Sequence, residues 1–264
     1  MRELERKRNG NERGTTALAI IGAGRVGRAV QRAAQEAGVD SRLAGRSDAA
    51  RACEGAEAAL LCVPDAAIEQ ACETIADAGS LRLVGHTSGA RGYEPLAAAS
   101  DRGVAVFGFH PLQTIPDGDA ELARAGCAVS GSTPAALAYA RTLAQRLGMR
   151  PFELPEEGRA TYHAAAAIAS NFLVALEESA ARLLQRSGVE GGRELLAPLV
   201  LRSAANWAER GEAALTGPIA RGDEATVQRH LEAIEADLPE LAELYRVLAE
   251  HTRALAAAGD EVAA

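Results

Sequence analysis

Between residues 17 and 155, short apolar runs rich in Val, Ile, Leu and Ala alternate with stretches whose apolar positions recur every three or four residues. The runs predict strands at 17–21, 39–44, 59–63, 82–86, 104–109, 126–130 and 151–154. The stretches between them predict helices at 25–37, 66–78, 92–100 and 134–147. Ser132-Thr133-Pro134 marks the last helix start, with a capping hydroxyl and a proline in the first turn. Such alternation predicts a mostly parallel sheet covered by helices on both faces. The pattern changes at Glu156, beyond which no strand is expected. One long helix is predicted over 156–186, with Tyr162, Ala166, Ala169, Phe172, Leu173 and Leu176 at helical spacing and a break at Ser187-Gly188. Further helices are expected at 193–208, 224–236 and 241–257. The fold class is therefore α/β: a Rossmann-type, mostly parallel sheet domain over 15–155, followed by a smaller all-α domain over 156–264. The charged segment 1–14 reads as a disordered tail.

The first strand breaks into Gly22-Ala23-Gly24-Arg25-Val26-Gly27, a G-x-G-x-x-G turn between a strand and a helix. Gly22 allows the tight turn, Gly24 allows backbone to approach a pyrophosphate, and Gly27 lets the helix pack on the strand. The helix start at Arg25 offers unpaired N–H groups to phosphates. A site for NAD places Asp or Glu about 20 residues further on, against the ribose 2′-OH. Here the end of the second predicted strand carries Arg46 and Ser47, which suit a 2′-phosphate. The expected cofactor is NADP.

Bulk properties narrow the rest. A formal net charge of −8 argues against a partner held by phosphate neutralisation, so no nucleic acid is expected. No apolar run approaches the roughly 20 residues of a membrane span. Cys53, Cys62, Cys72 and Cys127 show no C-x-x-C spacing and read as free thiols in a reducing, cytoplasmic setting. His and Cys show no metal-ligand spacing, so no metal is expected. Lys7 is the only lysine of the chain. Within the predicted domains, a proton donor must therefore be His, Tyr, Cys or a carboxylic acid.

Ligands of open α/β sheets bind beyond the carboxyl ends of the strands. There, Cys62-Val63-Pro64-Asp65 is a strand stop whose Val63 and Pro64 would line the nicotinamide side, with Asp65 able to cap the next helix. His86-Thr87-Ser88-Gly89 ends the next strand, with Thr87 toward the cofactor, Ser88 toward a substrate carboxylate, and His86 structural. In Phe109-His110-Pro111-Leu112-Gln113, Pro111 is expected to end the strand and leave His110 facing substrate. On the long helix, His163, Ala167 and Asn171 share a face at i, i+4 and i+8, with Tyr162 beside them. Arg221 could clamp an anionic substrate, and Asp223 is placed to cap the following helix. The Ala-rich surface of the long helix suits close packing against another helix, and a homodimer through the helical domain is expected.

Together these clusters resemble a known group. His86-Thr87-Ser88-Gly89, Phe109-His110-Pro111-Leu112-Gln113, Tyr162-His163-Ala164-Ala165-Ala166 through Asn171, and 216–223 resemble the Rossmann-like oxidoreductases with an uncharacterised helical C-terminal domain. These are related to ketopantoate reductase within the 6-phosphogluconate dehydrogenase C-terminal-like superfamily. The resemblance implies NADP-linked reduction of a small oxo acid, with ketopantoate the leading candidate. His163, His110 and Asn171 would be catalytic, and Ser88, Gln113, Tyr162, Arg221 and Asp223 would bind substrate. One departure stands out. Ketopantoate reductases carry a lysine on the first helix of the second domain, with asparagines four and eight positions later. Aligning on Asn171 puts His163 at the lysine position and Ala167 at the first asparagine. His110-Pro111 also resembles the His-Pro motif of prephenate dehydrogenases, which leaves an oxidative reading open. Reduction of an imine of the pyrroline-carboxylate type would suit the same scaffold, as would a non-catalytic NADP-binding module.

Overall fold

The computed structural model describes residues 18–263. The predicted tail over 1–14 lies outside them. The chain forms two compact units, one through Ala167 and one from Ile168.

The first unit holds a seven-stranded sheet: β1 (Leu18–Ile21), β2 (Ser41–Ala44), β3 (Ala58–Leu61), β4 (Leu83–His86), β5 (Ala105–Leu112), β6 (Gly126–Gly131) and β7 (Arg150–Glu153). The order is β2-β1-β3-β4-β5-β6-β7, and only the β5–β6 pairing is antiparallel. Side chains alternate across the sheet as the period of two requires. Leu18, Ile20, Leu60, Phe107 and Phe109 face one side with Val30 of α1 (Arg25–Glu36), as do Ala140 and Leu143 further along the chain. Ala19, Ile21, Leu61 and Val106 face the other side, with Cys53 of α2 (Ala49–Cys53), Ile68 and Ile75 of α3 (Ile68–Ile75) and Ala99 of α4 (Ala97–Ser100). Ala140 and Leu143 belong to α5 (Pro134–Arg146), whose first turn is capped as expected, with Ala136 N–H donating to Thr133 Oγ1 at 3.1 Å.

The structure departs from expectation at several places. β5 does not stop at Pro111. It runs to Leu112, with Pro111 opposite Cys127 on β6. Its ladder to β4 ends at Gly108, so beyond that point β5 has an open edge on the β4 side, where a missing N–H is tolerated. The first compact unit runs on to Ala167. α6 (Arg159–Ala167) belongs to the first unit because Arg159 and Tyr162 are tied into the sheet through Ser130 and His110.

The second unit begins with a π-helical segment, Ile168–Phe172, leading into α7 (Leu173–Arg186). α8 (Gly192–Arg210), α9 (Glu224–Asp237) and α10 (Ala242–Ala263) follow. The uniform helix predicted over 156–186 is thus interrupted. Val227, Ile234, Leu238 and Ala249 are buried in this unit, yet Leu199, Leu201 and Trp207 on α8 are 63–70% exposed. No helix among the described residues is long and apolar enough to cross a membrane.

Candidate active site

The strand order reverses between β1 and β3, and at that switch point ligands of doubly wound sheets bind. Gly22 stands there with φ +116°, and a Cβ on it would lie 2.4 Å from the Cys62 carbonyl oxygen. A Cβ on Gly27 would lie 1.9 Å from the Gly22 carbonyl oxygen. Both positions therefore require glycine, one for the turn and one for the approach of α1. Gly24 differs: a Cβ there meets nothing within 4 Å, so its backbone faces open space. Arg28 N–H is the first in α1 to bond back, to Gly24 O at 3.0 Å. The N–H groups of Arg25, Val26 and Gly27 before it lie at the positive end of the helix. The Ala23 carbonyl accepts from Arg28 Nε at 3.0 Å, and Arg25 donates to Pro116 O at 3.4 Å. This is the cradle that a pyrophosphate fits.

Beside the turn is a cavity of about 100 Å³ lined by Gly22, Arg46, Val63, Ala67, Gln70 and Thr74, among others. Arg46 opens the 3₁₀ turn after β2 and donates to Gln70 Oε1 at 2.9 Å. Ser47 is in the same turn, but its hydroxyl donates to Asp48 Oδ2 at 2.8 Å. Arg46 and Val63 both line this cavity. Sequence spacing missed Gln70 and Thr74, which come from α3 and carry no motif.

At the ends of β4 and β5, His110 and Tyr162 meet, with His110 Nδ1 and the Tyr162 hydroxyl 2.6 Å apart. Burial, with the neighbouring His163, pushes the imidazole of His110 down to about 4. Burial pushes the Tyr162 phenol up to about 12. Near neutral pH both groups are uncharged, and in the tautomer with the imidazole proton on Nε2 the phenol donates to Nδ1. His110 is therefore no imidazolium acid at neutral pH. Gly89 packs on this ring, where a Cβ would come 2.9 Å from Nε2. The exposed His163 ring lies 6.2 Å from that of His110, centroid to centroid.

Beneath the pair is a cluster that sequence reasoning missed. Arg159 is 5% exposed. It donates from Nε and Nη2 to Glu156 Oε1 at 2.9 and 2.6 Å, and from Nη2 to Ser130 Oγ at 2.6 Å. Its guanidinium also faces the Tyr93 ring at 5.9 Å. Gly108 makes room, since a Cβ there would come 2.6 Å from Ser130 Oγ. The available signal was the Glu156–Arg159 spacing at a helix start, which is more commonly a solvated pair.

Other candidates are engaged elsewhere. Ser88 Oγ donates to Asp65 Oδ2 at 2.9 Å and accepts from Ala90 N and Arg91 N at 3.2 and 3.0 Å. Its one donor and two acceptor positions are thus filled by protein, and it fastens the β4 loop rather than meeting a substrate. Asp65 is held by Ser88 and caps no helix. His86 is structural as expected: Nε2 donates to Gly92 O at 2.7 Å and Nδ1 accepts from Ser88 N at 3.2 Å. Thr87 turns back toward Leu61 O at 3.4 Å. Gln113 folds onto its own loop, accepting from Thr114 N at 2.9 Å and donating toward Glu121 O at 3.5 Å. Pro64 is exposed after the strand.

In the second unit, Asn171 is exposed within the π-helical segment and accepts from Ser170 Oγ at 2.9 Å. That segment breaks the constant i, i+4 spacing on which the shared face of His163 and Asn171 was based, and π-turns recur at functional sites. Asp223 caps α9, accepting from Thr226 N at 3.1 Å and from its hydroxyl at 2.7 Å, so the capping expectation holds. Its carboxylate is committed to that cap rather than to substrate. Arg221 lies exposed in the turn before it.

Residues 39–111 match the family described as a Rossmann-like domain. The fold is Rossmann-like. Residues 125–252 match the family described as Domain of unknown function (DUF2520). No curated protein matches the chain. Among solved structures, a protein of Bacteroides fragilis described as an NADP oxidoreductase is similar at TM-score 0.72 and 22% identity, over 90% of this chain and 98% of that one. A pyrroline carboxylate reductase of Plasmodium falciparum with NADP bound is similar at 0.63 and 14%, over 92% and 100%. A reductive aminase of Aspergillus terreus in complex with NADPH and ethyl-5-oxohexanoate is similar at 0.63 and 17%, over 94% and 100%. At these identities the likeness establishes the fold.

Proposed function

We propose that this chain is an NADP-dependent oxidoreductase acting at the carbonyl or imine carbon of a small anionic substrate. The observation that carries the reading is the glycine cradle at the switch point, opening beside a cavity over which Arg46 is held. The N–H groups of residues 25–27 and the open face of Gly24 would hold the pyrophosphate, and Arg46 the 2′-phosphate. When bound, NADPH supplies the hydride.

The chain's own contribution is the proton. The product oxygen or nitrogen needs one, and the neutral His110 carries it on Nε2. As that proton leaves Nε2, the Tyr162 proton passes to Nδ1 across their 2.6 Å hydrogen bond, and the phenolate left on the partly exposed Tyr162 takes up a proton from solvent. The neutral imidazole thus acts as donor and relay without first becoming imidazolium. His163, whose ring lies 6.2 Å from that of His110, is the second proposed donor.

Ketopantoate is the first oxo acid to test. A cyclic imine of the pyrroline-carboxylate type is the second reading. It is favoured by the neighbours that act on pyrroline carboxylate or form amines, and by the lack of a lysine among the described residues. The exposed Leu199, Leu201 and Trp207 support a homodimer through the helical unit. NADPH absorbance followed with ketopantoate and with a pyrroline carboxylate tests the function. Consumption with either supports an enzyme. Tight NADPH binding without turnover on any oxo acid or imine favours the non-catalytic module.

A further inference from the structure

Arg46 is not left to find its ligand by itself. Gln70 lies on a different element, 24 residues further on, and its Oε1 accepts from Arg46 Nη2 at 2.9 Å. A guanidinium has only donors, so the amide oxygen is the atom that faces it. One turn later, Thr74 bonds back to the Gln70 carbonyl at 2.8 Å and lines the same cavity. Small side chains, Ala49, Ala67 and Ala71, form much of the remaining wall.

We propose that Gln70 is a positioning residue for cofactor choice, holding Arg46 toward the seat of the ribose 2′-phosphate without neutralising it. This rests on the NADP reading above. A side chain at this place has two tasks that conflict for a carboxylate. It must accept from Arg46 to orient it, which an acid does well. It must also leave a positive charge for a dianionic phosphate, which an acid at hydrogen-bond distance would cancel. A neutral amide orients and preserves the charge, and its N–H₂ group adds a donor. An arginine already fixed in direction also loses less rotamer freedom when the phosphate arrives. NADH lacks that phosphate, so the advantage acts on NADPH alone.

The test is calorimetric titration of the full chain with NADPH and with NADH, for wild type, Gln70→Glu and Gln70→Ala. Gln70 is exposed on α3, and equal thermal midpoints verify that the variants fold. A charge-assisted hydrogen bond is worth roughly ten- to a hundredfold in Kd. Gln70→Glu is therefore expected to raise the Kd of NADPH about tenfold or more and that of NADH about twofold or less. Gln70→Ala is expected to fall between, since orientation is lost but no charge is added. A wild type that prefers NADPH, with variants that keep the same NADPH-to-NADH ratio, overturns the role of Gln70 and leaves the cofactor reading intact. A wild type that binds neither cofactor, or both equally, overturns the two together.

Discussion

Replacing Gly27 and Gly24 by alanine is the same chemical change three residues apart, with opposite expected consequences. At Gly27 the added Cβ falls 1.9 Å from the Gly22 carbonyl oxygen and 3.4 Å from Cys62 Cβ. The obstructing atom is backbone, so no side-chain rotation relieves it. Gly22 has little freedom to retreat, because it donates to Ala44 O at 2.8 Å and sits against the Cys62 carbonyl. The strain must lift α1 from the sheet, where Ala29, Val30 and Ala34 are at most 1% exposed. Overpacking of this kind costs about 1–3 kcal/mol, against a helix-propensity gain of at most about 1 kcal/mol for Gly to Ala. The loss prevails, and a midpoint lowered by a few degrees is expected, at about 2–4 °C per kcal/mol for a domain of this size. At Gly24 the Cβ meets nothing within 4 Å, and the backbone there is extended at φ −77°. Free Gly24→Ala should therefore melt with wild type. NADPH at about a hundred times its Kd stabilises the wild type by about 2.7 kcal/mol, and this gain should vanish in Gly24→Ala because the methyl group occupies the pyrophosphate approach. Thermal melts with and without NADPH read both effects. An unchanged midpoint for free Gly27→Ala, or a full NADPH shift for Gly24→Ala, refutes the geometry argued for the turn.

Tyr162→Phe removes the donor to His110 Nδ1 and should lower turnover about 10²-fold with little change in NADPH affinity, and unaltered turnover would exclude the relay. His110 has a pKa lowered by burial to about 4, below the roughly 6.5 of an unfolded imidazole, so only the unfolded state gains its proton between those values. Stability is then unaffected by this group above about pH 6.5 and is lost as pH falls toward 4, by up to about 3 kcal/mol, with the buried His86 acting in the same direction. Denaturant melts of His110→Gln should show a shallower loss than wild type over that window, and parallel curves would contradict it. Trp207→Glu should shift the elution of the protein from dimer toward monomer, whereas a wild type that elutes as a monomer removes the proposed interface.

The glycine turn was legible because the strand–turn–helix spacing marks it, and Gly22 and Gly27 answer steric demands of that turn. Arg46 was legible as a residue type at a strand end. Gln70 was not, since its partner stands 24 residues away and only the crossover from β2 to β3, past β1, brings them together. Thr133 and Asp223 announced their helix starts because capping is a local contact. The short α2 at Ala49–Cys53 was overlooked, for the Ala-rich run there has no periodicity to read. Pro111 misled because its cost depends on whether a neighbour lies on its N–H side, which is a property of the sheet rather than the strand. Ser88 looked available by type, and only its three hydrogen bonds show that it is not. The pairing of His110 with Tyr162, 52 residues apart, likewise required the packing of α6 on the sheet unit.

The account depends most directly on the cofactor. Calorimetric titration of the chain with NADPH and NADH, repeated with Arg46→Asp, decides it. NADPH should bind the wild type at least about tenfold more tightly than NADH, as expected for charge-assisted contacts to one extra phosphate, and Arg46→Asp should abolish that preference. Equal affinities in the wild type, or a preference that survives Arg46→Asp, would contradict it.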